Sequence, residues 1–149
     1  MNNKLLILLI AAGACFAQTP DAFTGTWTLN ATKSRSGDPK NSHRAGTRTY
    51  QAVAGGTHVT YDMTHTDGTT VKGEYTTQCK GKKCTAEEVT WTQKNARTVE
   101  GFTYQNGKPD ARYVRSVSAD GKTMTILFYP PTGKKTTALI TSVQVWEKQ

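Results

Sequence analysis

Residues 109–130 read PDARYVRSVSADGKTMTILFYP and contain two strand-like segments on either side of a tight turn. In the first segment Tyr113 and Val117 lie on one face, because successive side chains of a strand point to opposite sides. The second segment shows the same apolar alternation. Asp120-Gly121 between them supplies the positive φ that a tight hairpin requires. The stretch therefore predicts an antiparallel hairpin with one apolar face.

The chain after residue 22 repeats this arrangement, with turn residues at regular spacing and no helical stretch. An up-and-down barrel closes with antiparallel neighbours only if its strand count is even. Nine strands are predicted here. This odd count means that one end strand is auxiliary, that one segment is split, or that the first and last strands pair in parallel. We predict an all-β fold, an antiparallel up-and-down β-barrel of 8–10 strands with little or no helix. The nine predicted strands cover residues 24–29, 47–53, 57–65, 69–78, 84–93, 97–104, 109–118, 122–130 and 137–147.

Residues 1–17 have the features of a secretory signal peptide. Lys4 gives a positive start, an apolar run follows from Leu5 to Ala12, and Ala17 is a small residue before a cleavage site. Cleavage would leave a single barrel domain, residues 18–149, that is secreted or periplasmic. The alternative is lipoprotein processing, which would acylate Cys15 and anchor the domain.

Two cysteines follow this leader, Cys79 and Cys84, and they form an even pair in a compartment that permits disulfides. They enclose residues 80–83, whose sequence suits the tip of a hairpin. We therefore expect a disulfide between them. A metal site is the alternative, but two cysteines five apart with no nearby histidine are a poor ligand set.

The formal net charge is +8, and it falls to +7 when Lys4 is removed with the leader. Because export places the domain away from nucleic acid, we expect no nucleic-acid partner. The positive charge instead indicates attraction to anionic envelope surfaces or to acidic small molecules, or it serves solubility.

A Gly-x-Trp near the start of the exported domain, Gly25-Thr26-Trp27, is followed by a long polar loop over residues 30–46 and then by hairpins. This arrangement resembles the lipocalins and the wider calycin group, and avidin-type barrels also begin with such a motif. Residues 118–125 and 145–149 look like those of small secreted bacterial lipocalin-like proteins. The resemblance implies a barrel that holds a small ligand, with Trp27 plugging one end and residues 30–46 overhanging the mouth.

One charged residue falls on the apolar face. If Tyr113 and Val117 point inward, alternation places Arg115 inward too, and a buried guanidinium needs an anion to offset its desolvation. The anion is either Glu87, in an internal ion pair, or the carboxylate or phosphate of a bound ligand. A one-residue bulge would instead turn the arginine outward.

In fatty-acid-binding barrels, which are related to this group, an interior arginine and tyrosine hold the ligand headgroup. Arg115 with Tyr113 or Tyr61 resembles that arrangement. The aromatic wall of the cavity would consist of Tyr61, Tyr75, Trp91 and Tyr113. Alternatively, these residues simply fill the core, since a small barrel holds at most one small ligand.

Catalysis finds little support in the sequence. His58 and His65 face opposite sides of one predicted strand, and His43 lies in the long loop, so no metal cluster is expected. No nucleophile elbow or phosphate-binding loop is present. We predict a secreted or periplasmic small-molecule-binding protein for an amphipathic or acidic lipophilic ligand, without enzymatic activity or a cofactor. The alternative is a ligand-free structural or interaction domain whose basic surface contacts the envelope or a protein partner.

Overall fold

The structure is a computed structural model that describes residues 21–37, 42–132 and 140–149. The predicted leader and part of the last predicted strand, residues 137–139, lie outside these ranges. One turn of 3₁₀ helix, Asp21–Phe23, precedes the first strand. The strands are β1 Gly25–Leu29, β2 Arg35–Ser36, β3 His43–Val53, β4 Gly56–His65, β5 Thr70–Lys80, β6 Lys83–Thr85, β7 Val89–Asn95, β8 Thr98–Gln105, β9 Lys108–Val117, β10 Thr123–Tyr129 and β11 Ser142–Lys148.

The strands form one closed antiparallel barrel. From β3 to β11 each strand pairs with the next along the chain, and β1 pairs with both β3 and β11 and so closes a ring of ten strands. The two-residue strand β2 pairs with the start of β11. Every pairing is antiparallel, as an even number of strands permits. This confirms the predicted all-β up-and-down barrel.

The odd predicted count is explained by one segment that is split. The predicted strand 84–93 is two strands, β6 and β7, which pair with each other across a bend at residues 86–88. The backbone N–H of Ala86 donates to the carbonyl of Val89 at 2.8 Å and closes this bend. The bend was not predicted, because Ala86, Glu87 and Glu88 are not among the residues that favour turns.

The long loop after β1 is shorter than predicted. Strand β3 begins at His43 rather than at residue 47, and β2 lies within the predicted loop. The register of β3 on β4 shifts between His43 and Ala45, so a bulge joins this extension to the regular part of the strand. Residues 43–46 were not predicted as a strand because they lack the alternation of apolar residues that marks one.

Trp27 is completely buried, and its indole N–H donates to the carbonyl oxygen of Phe23 at 2.9 Å. Phe23 is also fully buried, so the 3₁₀ turn is fixed against β1. The register partner of Trp27 on β11 is Lys148, the last residue of that strand. Trp27 therefore lies near the end of the barrel where β11 ends and β10 begins.

The disulfide between Cys79 and Cys84 is present, as predicted. The two residues are direct register partners on β5 and β6, and their Cα atoms are 4.0 Å apart. Gly81 at the tip has a φ of +57°, a conformation that favours glycine.

Among the described residues, no helical segment has the length and the apolar character that a membrane-spanning helix needs.

Candidate functional site

The barrel interior holds a cavity of about 210 Å³. Two arginines, several tyrosines and a few apolar side chains contribute most of its wall. Four of the five residues predicted to bind a ligand line it, and Trp91 does not. The lining residues are Arg48, Tyr61, Tyr75, Glu88, Val89, Thr103, Tyr104, Tyr113, Arg115, Ile126 and Phe128.

Arg115 lies inside the barrel and is 3% exposed. Its guanidinium carbon is 4.7 Å from the ring centroid of Phe23 and 4.6 Å from that of Tyr50. The ring of Trp91 lies at 6.0 Å on the same guanidinium. Aromatic faces attract a cation, but each such contact contributes much less than desolvation of the charge costs. Ring contacts alone therefore leave Arg115 without full compensation.

The ion pair considered between Arg115 and Glu87 is not formed. Glu87 lies in the exposed bend between β6 and β7, and alternation along an unbroken strand does not apply to it. In the part of the chain that the structure describes, Arg115 has no ion pair, and its buried Nε has no hydrogen-bond partner. The internal-pair interpretation was wrong because the strand that carries Glu87 is interrupted.

A second inward guanidinium, Arg48 of β3, was missed by sequence analysis. Its Nη1 donates to the hydroxyl of Tyr50 at 3.3 Å, and its buried Nε has no hydrogen-bond partner among the described residues. The guanidinium carbon lies 5.7 Å from the Tyr61 ring centroid and 5.5 Å from that of Trp146. The pattern could have revealed it, since Arg48 and Tyr50 are two residues apart and share a face.

Tyr50 lies between the two arginines and is 1% exposed. Burial alone would raise the pKa of its phenol, but the guanidiniums of Arg115 and Arg48 outweigh burial and hold that pKa below its ordinary value. Burial also works against the charge of both arginines. Tyr50 and neighbouring tyrosines nevertheless keep the pKa of Arg48 and Arg115 raised, so both remain cationic.

Two tyrosines that line the cavity have pKa values shifted in the opposite direction. Burial raises the pKa of Tyr75 to about 12, and the neighbouring Tyr50 adds to this. Burial likewise raises the pKa of Tyr113 well above its ordinary value, and its hydroxyl donates to the carbonyl of Thr90 at 3.4 Å. These two phenols therefore stay neutral and act as hydrogen-bonding groups in the wall.

Tyr61 has room in the interior because its register partner on β5 is Gly73. A Cβ at that position would overlap the Tyr61 hydroxyl and its ring carbon. Trp91, by contrast, is a core residue, 4% exposed, which touches the site through Arg115. It contributes to the packing behind the cavity wall.

One of the three histidines, His43, departs from its predicted position in a loop. His43 is in a strand and is the register partner of His65, with ring centroids 4.5 Å apart. His58 instead contacts Glu74 on the next strand, at 3.4 Å. No group of three or more histidine, cysteine, aspartate or glutamate side chains within the described ranges could hold a metal ion.

The charged side chains of the cavity lining carry a net positive charge. Arg48 and Arg115 bring two positive charges, and Glu88 is the one carboxylate among the lining residues. Glu88 is half-buried and forms no ion pair with either arginine within the described part of the chain.

Comparison of the chain with known protein families, with curated proteins and with solved structures gave no match.

Proposed function

We propose that this protein binds a small amphipathic organic acid inside the barrel, with the acid group at Arg48 and Arg115. The observation that carries the proposal is the pair of interior guanidiniums that lack a carboxylate partner in the described residues. Two unpaired cations in one interior are costly, and a carboxylate or phosphate offsets that cost with charge-assisted hydrogen bonds.

The wall beyond the arginines suits the organic part of such a ligand. Val89, Ile126 and Phe128 offer apolar contacts, while the tyrosine hydroxyls offer a few directional hydrogen bonds. A volume of about 210 Å³ lies below the range of about 300–1,000 Å³ that is usual for drug-sized ligands. The cavity therefore favours a compact acid, such as a short aliphatic or single-ring carboxylate.

The ligand-free alternative receives less support. That reading required a filled interior in which Arg115 is neutralised by Glu87, whereas Glu87 is exposed in a bend and a cavity lies beside the arginine. The basic character of the chain remains compatible with either function, because net charge bears on solubility and encounter rather than on the interior.

The proposed location is secreted or periplasmic, after cleavage of residues 1–17. A disulfide such as Cys79–Cys84 persists in oxidising compartments, which supports this location. Intact mass of the exported protein should correspond to residues 18–149. A mass that retains Cys15 with added acyl chains would instead establish the lipoprotein alternative.

The binding proposal is tested by native mass spectrometry of the protein purified from its host, followed by denaturing extraction. We expect a stoichiometric adduct that releases a small acid. Isothermal titration of ligand-stripped protein with hexanoate, against hexanol as the uncharged control, should give binding by the acid alone. No adduct, together with equal or undetectable binding of hexanoate and hexanol, would contradict the proposal.

A further inference from the structure

Tyr50 differs from the tyrosines that line the cavity in what surrounds its oxygen. Arg48 of the same strand donates to the hydroxyl at 3.3 Å, and Arg115 of β9 stacks on the ring at 4.6 Å. Strands β3 and β9 are not neighbours in the barrel, so two separate parts of the wall direct positive charge at one phenol. Tyr50 is 1% exposed and so is more deeply buried than Tyr61 and Tyr113, which line the cavity.

The remaining titratable groups near Tyr50 do not supply the missing negative charge. Tyr75 on β5 and Tyr113 on β9 face the same cluster, and burial keeps both neutral. Glu88, next to β7, lines the cavity but pairs with neither arginine in the described residues. His43 lies on β3 near Arg48, and burial together with His65 and Arg48 lowers the pKa of His43. The phenol oxygen of Tyr50 is thus the ionisable oxygen in closest contact with the two cations.

We propose that Tyr50 is the internal counter-ion of Arg48 and Arg115, losing its proton while the cavity holds no anion and regaining it when an acid anion binds. This inference rests on the proposed function, and it adds the way in which the site is regulated. In the pH range where it ionises, the Tyr50 phenol of the free protein releases its proton to solvent and its oxygen faces the guanidiniums as a phenolate. An organic anion that binds supplies this negative charge in place of the phenolate.

The exchange balances in charge and in protons. One negative charge, on the phenolate, is replaced by one on the ligand, while Tyr50 takes up one proton from solvent and becomes neutral. Binding is therefore weakened by rising pH wherever free Tyr50 is ionised. Linkage gives a loss of affinity of up to about tenfold per pH unit in that range. At pH values below that range, affinity does not depend on Tyr50 ionisation.

The counter-ion role is tested without any ligand. The near-ultraviolet absorbance of tyrosinate is followed in alkaline titrations of wild type and Tyr50→Phe, and the difference between the two curves gives the titration of Tyr50. We expect its midpoint to lie below that of an ordinary tyrosine, which is about 10. Arg115→Met should move the midpoint upward, whereas Arg97→Met on the exposed surface should leave it in place. A Tyr50 midpoint at or above 10 would overturn the counter-ion role.

The exchange is tested with hexanoate, which does not absorb in this region. At a pH where the wild type shows Tyr50 phenolate, saturating hexanoate should remove that absorbance, and titration calorimetry in two buffers of different ionisation enthalpy should show uptake of about one proton. This readout needs no variant, so it holds even if Tyr50→Phe does not fold. Binding with no proton uptake would overturn the exchange. An early Tyr50 titration with no binding of hexanoate or inorganic phosphate would overturn the proposed function and the exchange, but would leave the counter-ion role standing.

Discussion

The guanidinium of Arg115 lies 4.6 Å from the ring centroid of Tyr50, although the two residues belong to strands that do not pair in the sheet. The contact therefore spans the barrel interior and joins β9 to β3. Arg48 reaches the same tyrosine through its hydroxyl. The three side chains form one cluster, hereafter the Arg–Tyr cluster, and the consequences of its charge can be measured.

Replacement of Arg115 by methionine separates a binding role from a structural one. The variant keeps much of the side-chain volume and removes the charge, so hexanoate affinity should fall by about thirtyfold or more, as for the loss of one member of a buried charge pair. At a pH below the Tyr50 titration, where Arg115 has no ionised partner, stability should stay the same or rise, because a buried charge without a partner is costly. The measurements are calorimetric titration and urea unfolding.

Arg97→Met is the matched control for this variant, since Arg97 is exposed and lies outside the cavity lining. Its affinity and stability should match the wild type. If Arg115→Met instead lost several kcal/mol of unfolding free energy and kept its affinity for hexanoate, Arg115 would be a structural residue.

The disulfide should account for a measurable share of stability. Thiol titration of unreduced protein that begins at residue 18 should find no free thiol. The Cys79→Ser, Cys84→Ser double variant should lose about 2 kcal/mol of unfolding free energy, the chain-entropy value for so short a loop. Two reactive thiols in the unreduced protein would contradict the bond, and an unchanged unfolding free energy would mean that the loop is already constrained in the unfolded chain.

The sequence predicted what depends on local geometry. Turns with Gly121 or Gly107 have the positive φ that marks a hairpin. Alternation of side chains along β9 correctly placed Arg115 in the barrel interior. The break at residues 86–88 was not predicted, because its residues have no turn preference and pairing with neighbouring strands decides it. Glu87 was consequently assigned to the wrong environment.

The site could be predicted only in part for a similar reason. Each of Tyr61, Tyr75 and Tyr113 could be assigned to the inner face from its own strand, and these residues do line the cavity. Which of them meet across the interior depends on strand tilt and closure, which no single strand encodes. The contact between Tyr50 and Arg115 is of that kind, and it emerged only from the closed barrel.

Alkaline pH should destabilise the fold through Tyr75. Its pKa of about 12 in the fold exceeds the ordinary value of 10, so its contribution is fully present below pH 10 and is lost as pH rises toward 12. The loss should reach roughly 2 kcal/mol near pH 12. Tyr50 acts in the opposite direction because its pKa is lowered.

The Tyr75 contribution is isolated by comparing wild type with Tyr75→Phe in urea unfolding between neutral pH and pH 12. The variant should show a shallower loss of stability with pH than the wild type. Tyr129→Phe, which changes a tyrosine outside the cavity lining, should follow the wild-type curve. Parallel curves for wild type and Tyr75→Phe would mean that the phenol of Tyr75 reaches solvent before the barrel unfolds.

The pairing of Gly73 with Tyr61 should control the shape of the cavity wall. In Gly73→Ala the new methyl group would overlap the Tyr61 side chain, so the tyrosine must shift within the cavity wall. Overpacking of this kind costs about 1–3 kcal/mol, and we also expect weaker hexanoate binding. A double-mutant cycle with Tyr61→Ala tests the cause, because Gly73→Ala should cost much less once the ring is gone. An equal cost in both backgrounds would assign the effect to the strand backbone and not to the clash with Tyr61.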